Sequence, residues 1–396
     1  MLEVGKPLPI DVWSPSGQLL LRRGQVIVSE SHKQKLAAHS ASAHAEAAQA
    51  WQRAYERMVH TRLRDGEDLE AIAALPMPSE ILQRDYVTAI QLQGGWLDLQ
   101  EVLRGILYQG GLAINPLPRL EEIEKKAFGL LQEDADDSLF CLFQALADNA
   151  LGYCATHALL CAAICALTGP KLGLESLRLH SLVRAAVTMN IGMAREQDRL
   201  SRQDGELSDW QRELIRDHAQ KSTAILQSLG VDDADHLDIV RWHHDAESAD
   251  ALERNLLSRR LLQMADAFVA KLAARKSRQP VAAVKAVKSI VMGAQGDALG
   301  MGSAMAQAVG FYPPGSYVML ANGDTGVSVQ RGVRANTPWV IPLLDKDGMP
   351  VSRYECLDTT MAAHTIASAV SFEKVRVHVN VEKVRRARDR IPRKNL

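Results

Sequence analysis

No disulfide framework is available to this chain. Its 396 residues include five cysteines, Cys141, Cys154, Cys161, Cys165 and Cys356, an odd number with no CxxC pair. Such a count does not staple a small secreted scaffold. Four of the five lie in or beside one apolar stretch, where a reduced thiol packs as a small hydrophobe. Aromatics are scarce, at 5% of residues, so the core has to come from Leu, Ala, Val and Ile, which favours packed helices. Neither sign of charge prevails. The 46 Lys and Arg against 47 Asp and Glu leave a net charge of -1, which removes any global pull towards nucleic acid or an anionic membrane. The start, MLEVGKPLPIDVW, lacks a basic segment followed by an apolar run, so no signal peptide is expected. A P-loop, a GxSxG elbow and a dinucleotide fingerprint are missing as well. A cytoplasmic protein of two or three domains is the expectation.

One stretch could mislead. Residues 149–170 carry no Asp, Glu, Lys or Arg and are long enough to span a bilayer. They also contain Asn149, Gly152, Thr156, His157 and Thr168, and no similar segment follows. A buried helix of a membrane-free protein is the better reading.

What is present changes in pattern along the chain. Residues 10–13 and 18–28 read as strands around an SPSG turn. Ser29 then resembles the N-cap of a helix running to about residue 63, in which nine of the eighteen residues 37–54 are alanine. Helical periodicity dominates from about 95 to 310, with helices predicted near 137–168, 176–190, 208–229, 235–246, 254–275 and 280–293. After residue 312 the runs SYVMLAN (316–322) and TGVSVQRG (325–332) form a hairpin signal, continued by PWVIPLLD and KDGMPV. The tail holds seven Lys or Arg among residues 382–396 and reads as a solvated terminus. One short basic end makes nucleic-acid binding a poor expectation. The organisation is therefore 1–65, a β-hairpin plus Ala-rich helix; 66–118, a helical connector; 119–310, a helical domain; and 311–396, a β segment with a basic tail. The fold class is mainly α.

The chemistry-bearing residues sit in the helical domain. They are His157, His218, the adjacent pair His243 and His244, and Asp266. Imidazoles and a carboxylate projecting inward from separate helices can form a metal site in a bundle core. Taken singly, each has an ordinary explanation as a satisfied core residue. An HH pair on a helix points its rings about 100° apart, so both rarely serve one ion. Cys161 and Cys165 lie four apart, on a face shared with His157. That spacing allows a soft metal triad, but packing is the commoner reason for cysteines on an apolar helix.

Together and in order, these residues resemble the HD-GYP family, a branch of the HD phosphohydrolases that cleave cyclic di-GMP. The resemblance covers about 153–320. His157 precedes MNIGM (189–193), which stands where the family has HDxGK; LSDWQRELIRDHA carries His218 next to its end; VRWHHD keeps the HH pair; MADAFVA keeps the distal Asp as Asp266. YPPGSYVMLANGDTGVSV resembles the β-hairpin that often follows this domain. The resemblance implies an HD-type helical bundle, and a metal set drawn from His157, His218, His243, His244 and Asp266.

The departures bear on activity. The HD positions, which the resemblance assigns to metal ligation, are Met189 and Asn190, and the lysine expected to meet phosphate is Met193. A thioether is a poor substitute for imidazole on a borderline ion. A neutral amide offers no charge to offset two dications placed about 3.5–4 Å apart. The GYP loop is also missing, since Asp266 follows His244 by only 22 positions. No catalytic residue is assigned with this motif lost. The expectation is a binding or regulatory module in bacterial cyclic-dinucleotide signalling, with a protein or a cyclic dinucleotide as partner and a homodimer left open. The alternative is a phosphohydrolase working through one residual divalent ion (Fe, Mn, Ni or Zn), and a site with no ion at all also stays open.

Overall fold

The computed structural model describes residues 95–391 apart from 114, 148–151, 274–280, 294–296, 376 and 378, together with short pieces between residues 4 and 33. The chain divides into two units, Met1–Gln91 and Leu92–Leu396. In the first, β1 (Val12–Trp13) pairs antiparallel with β2 (Leu19–Leu21), and Leu8, Val12 and Ile27 make a small core. The expected Ala-rich stretch at 37–54 lies outside the described residues.

The second unit is mainly helical. Its helices are α1 (Trp96–Gln109), α2 (Pro116–Glu133), α3 (Ala135–Ala147), α4 (Tyr153–Thr168), α5 (Ser176–Thr188) and α6 (Ala194–Arg202). They continue with α7 (Asp209–Ser228), α8 (Ala234–Trp242), α9 (Leu256–Leu272), α10 (Ala283–Gly293) and α11 (Asp297–Val309). Residues 66–118 were expected as a connector. Their described part is α1 and the start of α2, and Leu99, Leu103 and Ile106 of α1 are buried in the common core.

The helix expected at 137–168 is two helices. Gly152, at φ 91, takes a backbone conformation that no helix interior allows. The carboxylate of Asp198 on α6 accepts from the Cys154 amide at 2.5 Å, and so satisfies one of the bare amides opening α4. Every residue of α4 except Leu167 is buried, because α1, α2, α3, α5, α6, α9 and α11 all pack on it. This is the uncharged stretch of the sequence. Among the described residues, only Tyr153–Leu172 is long and apolar enough to cross a membrane, and it forms the middle of the body.

The β segment is larger than the expected hairpin. β3 (Tyr317–Leu320), β4 (Thr325–Gln330), β5 (Trp339–Leu344), β6 (Leu357–Asp358) and β7 (Ile366–Val370) form an antiparallel sheet in the order β6-β5-β4-β3-β7. KDGMPV, expected to continue the strands, is largely a turn, because the Asp345 side chain accepts from the Asp347 and Met349 amides. The sheet rests on α3, with Gln144 donating to the Gly315 carbonyl and Arg331 paired with Asp136.

The basic tail also departs from expectation. Residues 381–388 form α12 (Val381–Arg388), capped by the Asn380 side chain. Its Val384 and Ala387 are buried, while Arg385 pairs with Asp137 and Arg388 with Asp134 and Asp137 at the start of α3. Two of the tail's basic residues, Arg385 and Arg388, are thereby paired with the helical body.

Candidate metal centre

Four helices bring the sequence-predicted residues together as two neighbouring clusters: His218, His243 and His244, and His157, Asp266 and Cys161. The ligand atoms in each lie within 4.8 Å of one another.

In the first cluster the proton positions follow from the partners. His218 Nδ1 lies 2.6 Å from the Ile215 carbonyl and His243 Nδ1 lies 2.7 Å from the Val240 carbonyl. A carbonyl oxygen only accepts, so both Nδ1 atoms carry hydrogen and both Nε2 atoms present lone pairs. Burial, aided by the neighbouring His244, lowers the pKa of His218 to about 4. Burial again, with His244 and His218 adding to it, lowers that of His243 to about 3. Both rings are therefore neutral near pH 7, and their Nε2 atoms face each other at 3.3 Å. Two lone pairs so placed repel unless a cation lies between them. A tetrahedral ion with metal–nitrogen distances of about 2.0–2.1 Å separates two ligating nitrogens by about 3.3–3.4 Å. Backbone carbonyls that orient the rings through Nδ1 are the usual outer support of histidine ligands. The donor set fits a divalent ion.

His244 completes the cluster for a reason the sequence did not expose. The helix α8 ends at Trp242, and the HH pair lies in the turn that follows, where both rings converge on His218. The two rings lie 4.1 Å apart between centroids, and the exposed His244 ring is 5.0 Å from that of His218. The short segment after the pair is pinned from within. The fully buried Arg259 donates to Asp238 at 2.7 Å and to the carbonyls of Ala246 and Leu252. Asp238 accepts in turn from the Leu252 amide and from Asn255, and Gln263 donates to the His244 carbonyl. Sequence reasoning passed over Arg259 and Asp238. The visible signal was an arginine inside the apolar run LLSRRLLQMAD.

In the second cluster, His157 Nε2 donates to Asp266 Oδ1 at 2.7 Å, and the Tyr153 hydroxyl and His157 Nδ1 lie 2.8 Å apart as a hydrogen-bonded pair. Burial disfavours charge on Asp266, but the hydrogen bond and field of His157, with His243 and His244 nearby, outweigh it and hold the carboxyl below its usual range. Cys161 Sγ lies 3.5 Å from the same His157 Nε2. The clusters share one electrostatic environment, since Asp266 acts on both His218 and His243.

The divergent motif follows α5 as the turn at 189–193. Met189 is fully buried in the apolar core, Met193 is buried, and Asn190 is buried with no partner for its Nδ2 among the described residues. Ser222 Oγ donates to the Met189 carbonyl at 2.7 Å and accepts from the Gly192 amide at 3.0 Å. A Cβ on Gly192 would meet the Ser222 nitrogen at 2.8 Å and the His218 oxygen at 2.9 Å. The glycine is held by this close approach to the His218 helix. Away from both clusters, a cleft of about 1160 Å³ opens between the start of α3, the sheet and α12, lined in part by Trp96, Trp339 and Arg331.

No family model and no curated protein matches the chain. Among solved structures it is similar to Bd1817, a HDG"Y"P protein from Bdellovibrio bacteriovorus, at 13% identity and a TM-score of 0.41, over 77% of this chain and 95% of that one. A likeness so distant carries no argument about activity, and the site stands on its own geometry.

Proposed function

We propose that this chain is a degenerate HD-GYP-like protein that binds rather than hydrolyses, acting as a regulatory module in bacterial cyclic-dinucleotide signalling. The buried turn at 189–193 carries the reading. It sets a thioether and a neutral amide where the resemblance places a histidine and a bridging carboxylate. Two divalent ions a few ångström apart need that anion, and the hydroxide they would activate depends on both. A cyclic dinucleotide or a protein is the partner, in the cytoplasm. Incubating the full chain with cyclic di-GMP and Mn²⁺ or Fe²⁺ is expected to give no hydrolysis above a metal-only control. Metal-dependent hydrolysis that disappears in His218→Ala overturns the reading.

The facing Nε2 atoms of His218 and His243 favour one second reading, a phosphohydrolase with a single ion held by those two residues and His244. Such an ion would polarise a phosphate and lower the pKa of water. The same incubation with other phosphodiesters, after elemental analysis of the purified protein, separates the two readings.

A further inference from the structure

Cys161 is the feature that neither reading uses. It lies one helical turn beyond His157 on α4, is fully buried, and points its sulfur at the atom of His157 that faces Asp266. We propose that Cys161, His157 and Asp266 form a separate centre for a thiophilic divalent ion of the zinc class, with Cys161 as thiolate ligand. The charge part of this proposal rests on the reading above, in which the site has lost its bridging carboxylate.

Three observations support it. The Sγ–Nε2 separation of 3.5 Å matches the ligand spacing of a tetrahedral ion with metal–sulfur about 2.3 Å and metal–nitrogen about 2.0 Å. The spacing is built into the helix, because positions i and i+4 share a face, and the carboxylate arrives from α9 opposite. Finally, the donor set has changed in kind. With Asn190 in the motif, His157 and Asp266 keep one anion between them, and a thiolate restores a second. The exchange of carboxylate for sulfur selects a softer ion.

The proton balance is simple. Burial, with Asp266 and Cys165 adding to it, keeps the Cys161 thiol protonated while no ion is bound. An entering M²⁺ takes the sulfur lone pair and releases the thiol proton to solvent. It also takes the Nε2 lone pair of His157, whose proton moves to Nδ1 and is then donated to the Tyr153 oxygen. Asp266 stays ionised and exchanges its hydrogen bond for the metal. One proton leaves per ion bound. Asp266 is 20% exposed, and the ion would enter from that side.

The test uses the full chain, stripped with a chelator and titrated with Co²⁺. A near-ultraviolet thiolate-to-cobalt band is expected in the unaltered chain and in Cys165→Ser, and its loss in Cys161→Ser. Cobalt bound without that band overturns the proposal, as does a band that survives in Cys161→Ser. Zinc-edge X-ray absorption on the unaltered chain avoids any dependence on a folded variant. One sulfur neighbour at about 2.3 Å is expected, and a shell of nitrogen and oxygen alone overturns the centre. His218→Ala distinguishes this failure from that of the three-histidine site. If the sulfur signal persists in that variant and total metal does not fall, the three-histidine centre is wrong and this one stands. If all metal is lost and no sulfur was seen, the reverse holds.

Discussion

At the scale of single residues, what decides the site is where protons sit. His218 and His243 are fixed as acceptors by backbone carbonyls that no sequence motif displays. The motif could show which side chains were present, but the facing lone pairs arise only once α7 and the end of α8 meet. A buried histidine outside both clusters offers a further test. His236 bonds Thr188 at 2.7 Å, and burial, with Arg184 adding to it, lowers its pKa to about 4, while Asp233 acts in the other direction. Its native pKa lies below the unfolded value of about 6.5. The contribution is therefore complete above pH 6.5 and is lost as pH falls through the window from 6.5 to 4. A loss of about 3 kcal/mol is expected across that window. His218 and His243 are lowered in the same sense and add to the slope, so the slope of urea midpoints against pH should be shallower in His236→Gln by the His236 share alone. Gly192 gives a second residue-scale test. Alanine there drives a methyl into the backbone of α7, so Gly192→Ala is expected to lower the melting temperature and disturb the His218 cluster together. A variant with unchanged stability and unchanged metal content would show that the turn is not clamped.

At the scale of elements, periodicity made most helices legible, and the exceptions have particular causes. The break between α3 and α4 was hidden because Gly152 sits in a run of apolar residues that reads as continuous helix. The β7 strand and α12 were hidden for another reason. The arginines of α12 look like a solvated tail until Asp134 and Asp137, some 250 positions earlier, come beside them. Long-range pairs of this kind leave no local pattern. The same holds for the Arg259–Asp238 pair, buried to 2% and 6% exposure. Removing one partner of such a pair leaves the other charge unpaired in the interior, at a cost of about 3–5 kcal/mol. Arg259→Ala is therefore expected to destabilise the chain by about that much, and to loosen His244 through the segment it pins. Chemical denaturation gives the first effect, and a line-broadened His244 resonance in NMR gives the second. A drop below about 1 kcal/mol would mean the pair does not hold the segment.

At the scale of the whole molecule, the helical body was readable because a chain poor in aromatics and rich in Ala and Leu has few other ways to build a core. The order of His157, His218, His243, His244 and Asp266 along the chain anticipated that they meet. It did not display the different proton arrangements of the two clusters. The enclosure of α4 also has a kinetic side. Every helix packed around it must part before its amides meet water, so exchange along 157–165 should proceed only by global opening. The turn holding His243 and His244 lies at the end of a helix, and local fluctuation should open it far sooner. Hydrogen exchange followed by mass spectrometry would resolve the two regimes, and equal rates in both segments would contradict this. An ion beside α4 would then rest on one wall that does not breathe, and one held by the histidine turn on a wall that does.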